Sequence, residues 1–140
     1  MQVNPHLWFN GQCEAAFEFY HKCLGGKLVG MMTYGNSPMA DQTPVVWREK
    51  IIHVTLSLHN CRLAGADVLP GSYQKPQGFS VLLELDDVSE AERAFNGLAE
   101  KATVQMPLQE TFWARRFGML TDQFGTAWMV SCGDAGPQQG

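Results

Sequence analysis

A chain of 140 residues, 45% hydrophobic and only 17% charged, can bury a core of its own, which excludes a disordered or fibrous molecule. A net charge of −4 with 10 scattered basic residues leaves no electrostatic footprint for nucleic acid or an anionic membrane. Neither a membrane span nor a leader with a basic region before an apolar stretch is visible, so the expectation is one cytoplasmic domain.

In chain order, Val3–Phe9 reads as a strand closed by Asn10-Gly11. Ala16, Phe17, Tyr20, Cys23 and Leu24 then recur at helical spacing after Cys13, and Gly25-Gly26 stops the helix. Lys27–Tyr34 reads as a strand, followed by a turn-rich stretch from Gly35 to Pro44. Ile51–Leu58 alternates, with Ile52, Val54, Leu56 and Leu58 on one face and Ile51, His53, Thr55 and Ser57 on the other. Arg62–Leu69 follows as a strand, and the prolines and glycines of Pro70–Gly78 read as a linker. Phe79–Leu85 is the next strand. Ser89 with Glu92 forms a capping-box pattern, opening a helix striped by Ala91, Ala94, Phe95, Leu98 and Ala102. Strands are expected at Thr103–Met106, Phe117–Leu120 and Thr126–Cys132, the last two joined by the turn Thr121-Asp122-Gln123-Phe124-Gly125. Gly133–Gly140 reads as a frayed tail. Cys13, Cys23, Cys61 and Cys132 form no C-x-x-C pair and read as free thiols.

Each half thus reads strand–helix–strand–strand–strand. A shift of about 76 residues superposes Leu7 on Leu83, Glu14 on Glu90, Ala15 on Ala91 and Phe19 on Phe95. The fold class expected is α+β: two βαβββ modules (about 3–69 and 79–132) forming a curved mixed sheet around a cleft suited to a small ligand.

Phe9-Asn10-Gly11 with Phe19-Tyr20, then Ile51-Ile52-His53, and above all the Glu110–Gly118 and Thr121–Trp128 runs carry a resemblance across nearly the whole chain. The sequence resembles the vicinal oxygen chelate superfamily of glyoxalases, bleomycin-resistance proteins and dioxygenases, and within it the PhnB-like subgroup. That resemblance implies paired βαβββ modules and a homodimer. It also implies a divalent metal held by one ligand from the first and one from the last strand of each module. The carry-over of ligands fails here. The first position falls on Pro5, or on His6 with a one-residue slip; its second-module match is Phe79 or Ser80. The last-strand positions fall on Met129 and near Leu69, with Asp67 close by. No metal and no other cofactor is therefore expected. The subgroup's label as ubiquinone-pathway methyltransferases finds no glycine-rich strand-to-helix loop in this sequence.

The residues offer few chemical candidates. His53, on the polar face of its strand beside Thr55 and Ser57, is an acid–base candidate if that face lines the cleft. It is structural if the face meets solvent or a dimer partner. Glu110 is the second catalytic candidate, and with Trp113 and Arg116 it reads either as a structural ion pair or as a wall holding a polar ligand. Trp8, Trp47 and His6 complete the ligand-binding candidates, whereas Trp128 reads as core. No nucleophile elbow, Cys–His–Asp grouping or phosphate loop is present. The first functional reading is a homodimeric protein that binds a small organic molecule without the superfamily metal. The alternative is a metal-independent or weakly metal-dependent lyase or isomerase using His53 and Glu110. A third reading is an orphan dimer whose ancestral site has decayed.

Overall fold

Gly25 and Gly26 both take φ near +79°, and Gly26 passes so close to the Ser57 carbonyl that a Cβ there would lie 2.5 Å from its oxygen. The first helix therefore stops where the glycines stand, and the chain turns straight into its second strand. The computed structural model describes residues 1–134. It divides into one unit spanning Met1–Lys75 and another beginning at Pro76, a boundary inside the expected linker. Gly133 and Asp134, expected in the tail, finish the last strand, and residues 135–140 lie outside the described residues.

The first unit runs β1 (His6–Phe9), α1 (Cys13–Leu24), β2 (Lys27–Thr33), β3 (Ile51–Ser57) and β4 (Arg62–Asp67), with single 3-10 turns between β2 and β3. The second repeats it: β5 (Val81–Leu85), α2 (Val88–Leu98), β6 (Thr103–Gln109), β7 (Ala114–Thr121) and β8 (Ala127–Asp134). Each forms a four-stranded mixed sheet of the same order, β1-β4-β3-β2 and β5-β8-β7-β6. The first strand of each unit lies parallel to the last, and the other pairings are antiparallel. Both halves thus have the expected βαβββ order, in an α+β fold.

The expected offset of 76 does not carry through the helices: Ala15 is exposed where Ala91 is buried, and the buried set Cys13, Ala16, Phe17 and Tyr20 matches Ala91, Ala94, Phe95 and Leu98 at an offset of 78. The loop from β5 to α2 is one residue shorter than that from β1 to α1.

One face of each sheet is packed against its own helix. In the first unit that face holds Leu7, Phe9, Val54, Leu56 and Leu63 against Ala16, Phe17 and Tyr20. Gly65 sits beneath the Phe17 ring, where a Cβ would lie 2.4 Å from Phe17 Cε1, so only glycine admits the helix this closely. In the second, Leu120, Trp128, Val130 and Cys132 face Ala91, Ala94, Phe95 and Leu98.

Three expectations need correction. Ile51, placed by alternation on the polar face, is buried; its N–H donates to the buried Asp67 carboxylate at 2.9 Å. The N-cap of α2 is Asp87, not Ser89: its Oδ2 accepts the Glu90 N–H at 3.0 Å, and Ala102 lies beyond the helix end. The strand expected to stop at Met106 continues to Gln109, because β6 is a sheet edge where Pro107 forfeits no necessary ladder bond.

Candidate functional site

In both units the sheet face opposite the helix is left uncovered by its own unit's helix. Cross-strand partners share a face, so the register reads out what the open face of the first sheet carries. One row runs His6, Ala64, Thr55 and Val29 across β1, β4, β3 and β2. The next row toward β1's end pairs Trp8 with Ala66, and His53 with Met32. Two positions the other way, Ser57 stands between Arg62 and Lys27.

Three of the sequence candidates, His6, Trp8 and His53, therefore share one surface. The His6 and Trp8 rings lie 4.5 Å apart, centre to centre, and Trp8 remains 53% exposed. Partial burial, and then the neighbouring His53, hold the His6 imidazole below the usual histidine pKa. His53 is exposed, with Nε2 3.4 Å from Thr55 Oγ1. The surface presents a neutral imidazole, a flat indole, a hydroxyl and a thioether. Such a set can stack on a ring and exchange hydrogen bonds with a polar substituent.

Trp47 lies elsewhere, in the last 3-10 turn. Its indole N–H donates to the Val68 carbonyl at 2.9 Å, and its ring lies under Lys50 Nζ, which itself donates to the Gly11 carbonyl. These contacts brace the β1–α1 loop.

In the second unit Glu110, Trp113 and Arg116 do not form the cluster their spacing suggests. Arg116 and Phe117 are neighbours on β7 and so point to opposite faces. Arg116 Nε makes its ion pair across the helix side, with Glu92 of α2 at 3.6 Å. Trp113 packs the other way, its ring 5.3 Å from Phe117 and 4.6 Å from Phe112. Glu110 is exposed just past β6. Beside this aromatic group Met129, Met119 and Met106 line up across β8, β7 and β6, next to Leu82 of β5.

The positions where the superfamily holds its metal do not suit one. Met129 offers a thioether and Leu69 no donor, a poor set for a hard divalent ion. Asp67 is fully buried, and both its oxygens are occupied: Oδ1 by the N–H groups of Gly11 and Cys13, Oδ2 by that of Ile51. Among the described residues no group of three or more His, Cys, Asp or Glu is placed to hold a metal ion. The Trp128 ring is core, as read, its N–H donating to Asp122 Oδ2 at 2.8 Å.

Comparison with known proteins fits this architecture. A family model described as 3-demethylubiquinone-9 3-methyltransferase matches residues 1–131. The chain belongs to this PhnB-like family of the vicinal oxygen chelate superfamily. It is 31% identical over 147 residues to Protein YjdN of Escherichia coli, covering 99% of this chain and all of that protein. A crystal structure of protein PA1353 from Pseudomonas aeruginosa is 47% identical, with a TM-score of 0.88 over 95% of this chain and 98% of its own. A Bacillus cereus PhnB protein, described as a putative 3-demethylubiquinone-9 3-methyltransferase, shares the fold at 22% identity (TM-score 0.77; 94% of this chain, 99% of its own). Structures bearing the glyoxalase/bleomycin-resistance/dioxygenase name share it too. The methyltransferase description meets no glycine-rich strand-to-helix loop for an adenosyl donor in this PhnB-like chain: both helices follow their strands through Asn10-Gly11-Gln12 and Asp86-Asp87.

What the sequence missed is the company that register supplies. Thr55 was noted beside His53, but Val29, Met32, Arg62 and Lys27 gave no signal until strand order placed them in the same rows.

Proposed function

We propose that this PhnB-like protein binds a small organic ligand on the open face of its first sheet, with the superfamily metal absent from the process. The observation that carries the reading is the half-exposed Trp8 indole packed at a tilt against His6, on a face shared with His53, Thr55 and Met32. A large exposed aromatic on an uncovered face, beside an imidazole kept neutral, is suited to a planar molecule with polar substituents. The Asp67 hydrogen bonds support the metal-free part of the reading, since this fully buried carboxylate already accepts three backbone N–H groups. We also read the chain as a homodimer; Phe112 and Leu82 of the second unit, 77% and 50% exposed, are the kind of side chains such a contact would bury.

A second reading, proton-transfer catalysis of the isomerase or lyase type, draws on the interaction between His6 and His53. A neutral base beside a second imidazole is a suitable pair for moving a proton between two carbon or oxygen atoms of a bound ligand. In this reading His53 keeps the role expected of it, and Glu110 does not share its sheet.

The test is fragment screening by ligand-observed NMR on the metal-free protein, followed by Trp8→Ala. Aromatic hits that disappear in Trp8→Ala and are indifferent to added divalent ions support binding. Hits that require a divalent ion would refute the metal-free reading.

A further inference from the structure

The end of the same open face differs in charge from its middle. Arg62 and Lys27 flank Ser57 as its direct cross-strand partners on β4 and β2. Beyond Ser57 the chain turns through His59 and Asn60, closed by the Leu58 N–H donating to the Cys61 carbonyl at 2.9 Å. Around this turn lies a cavity of about 230 Å³ lined by Gln2, Ser57, His59, Asn60 and Arg62 among others, with no carboxylate in its wall. Among the described residues neither Arg62 nor Lys27 has an ion-pair partner. In a chain of net charge −4, the three rows of this face hold two permanent cations and two histidines, and no Asp or Glu.

We propose that this end of the sheet is an anion subsite, in which Arg62, Lys27 and His59 receive the carboxylate or phosphate of a ligand whose aromatic body lies toward His6 and Trp8; it rests on the ligand-binding reading above. A two-residue step along a strand is about 7 Å, so the Arg62 row stands about 7 Å from the His6 row and about 13 Å from the Trp8 row. The shorter of these separations, to the His6 row against which Trp8 packs, matches a fused two-ring body with one anionic substituent. Arg62 supplies a planar fork for two oxygens, while Lys27 adds charge and Ser57 and Asn60 add donors.

The experiment is calorimetric titration of the full chain with four probes: 1-naphthyl phosphate, 2-naphthoate, 1-naphthol and inorganic phosphate. The naphthyl anions should bind at least tenfold more tightly than 1-naphthol, with the advantage shrinking as salt rises. The better of the phosphate and the carboxylate identifies which head group the subsite prefers. Arg62→Gln combined with Lys27→Gln should weaken the naphthyl anions about tenfold and leave 1-naphthol unchanged; both side chains are exposed, so folding is not at risk. If 1-naphthol binds as tightly as the anions, or the double variant holds them as wild type does, the subsite is refuted while the ligand-binding reading stands. If only Trp8→Ala removes binding of all the naphthyl probes, the subsite is likewise refuted. If no probe binds, both fall.

Discussion

Asp67, the last residue of β4, accepts the backbone N–H of Cys13 at 3.0 Å and so caps α1 from a strand 54 positions away. The residue at the N-cap position, Gln12, makes no side-chain capping bond. The same carboxylate takes the Gly11 and Ile51 N–H groups, and the Asp67 carbonyl accepts the Tyr34 hydroxyl at 2.6 Å. One buried side chain thus ties the start of the helix to the start of β3 and the end of β4, which fixes the sheet whose far face carries His6, Trp8 and His53.

Removing that carboxylate should cost more than any single surface contact. Asp67→Ala strands three buried or half-buried N–H donors, each worth about 1 kcal/mol or more. Chemical denaturation should show a loss of about 3 kcal/mol. Asp67→Asn, which keeps one acceptor oxygen, should lose less. Added divalent ions should not alter wild-type stability through this residue.

The pH response of His6 has a definite sign. Its folded pKa lies below the unfolded value, with burial the larger cause and His53 the second. The unfolded chain therefore binds more protons near that pKa. The contribution of His6 is complete above the unfolded value of about 6.5 and is lost as pH falls through the folded one. NMR titration of the His6 ring should give a midpoint below that of a model peptide, and His53→Gln should move it upward. A midpoint unmoved by His53→Gln would remove the electrostatic link between the two rings.

Thiol reactivity should divide sharply. Cys61 is exposed in its turn, whereas Cys13 and Cys132 are buried. Burial first, and then the Asp67 and Glu14 charges, push the Cys13 thiol far above its usual range. Under native conditions a thiol reagent followed by peptide mass spectrometry should label Cys61 first, and Cys13 only as fast as the protein opens.

The packing of α1 should tolerate no side chain at Gly65. A Cβ there meets the Phe17 ring at 2.4 Å, and the Leu7 carbonyl at 3.1 Å prevents an easy shift. Gly65→Ala should destabilise by about 1–3 kcal/mol. Arg116→Ala, which breaks a partly exposed ion pair, should change stability by no more than about 0.5 kcal/mol. Paired melting curves check both.

How much of this was legible follows from range. Local signals carried well. Gly25-Gly26 ended α1 where expected, and Gly125, with φ +92°, closed the β7–β8 turn. There Asp122 accepts the Phe124 and Thr126 N–H groups. The repeat of strand and helix order was readable from periodicity alone. The capping residue of α2 was misplaced because Ser89-Glu92 and Asp87-Glu90 are equally good patterns two residues apart. Long-range pairing was not readable: nothing near Asp67 in sequence announces Cys13. Nothing in the Glu110–Arg116 run shows that Arg116 turns to Glu92 while Trp113 turns to Phe117. His6, Trp8 and His53 were each picked out singly, and only the β1-β4-β3 pairing puts them on one face.

The most direct test of a ligand face on the first sheet is chemical-shift mapping on protein labelled at methionine methyls and histidine rings, titrated with a library of aromatic fragments without metal. Binding as proposed gives hits whose shifts centre on Met32, His6 and His53 and vanish in Trp8→Ala. Fragments that bind only elsewhere, or shift these groups equally in Trp8→Ala, would contradict it.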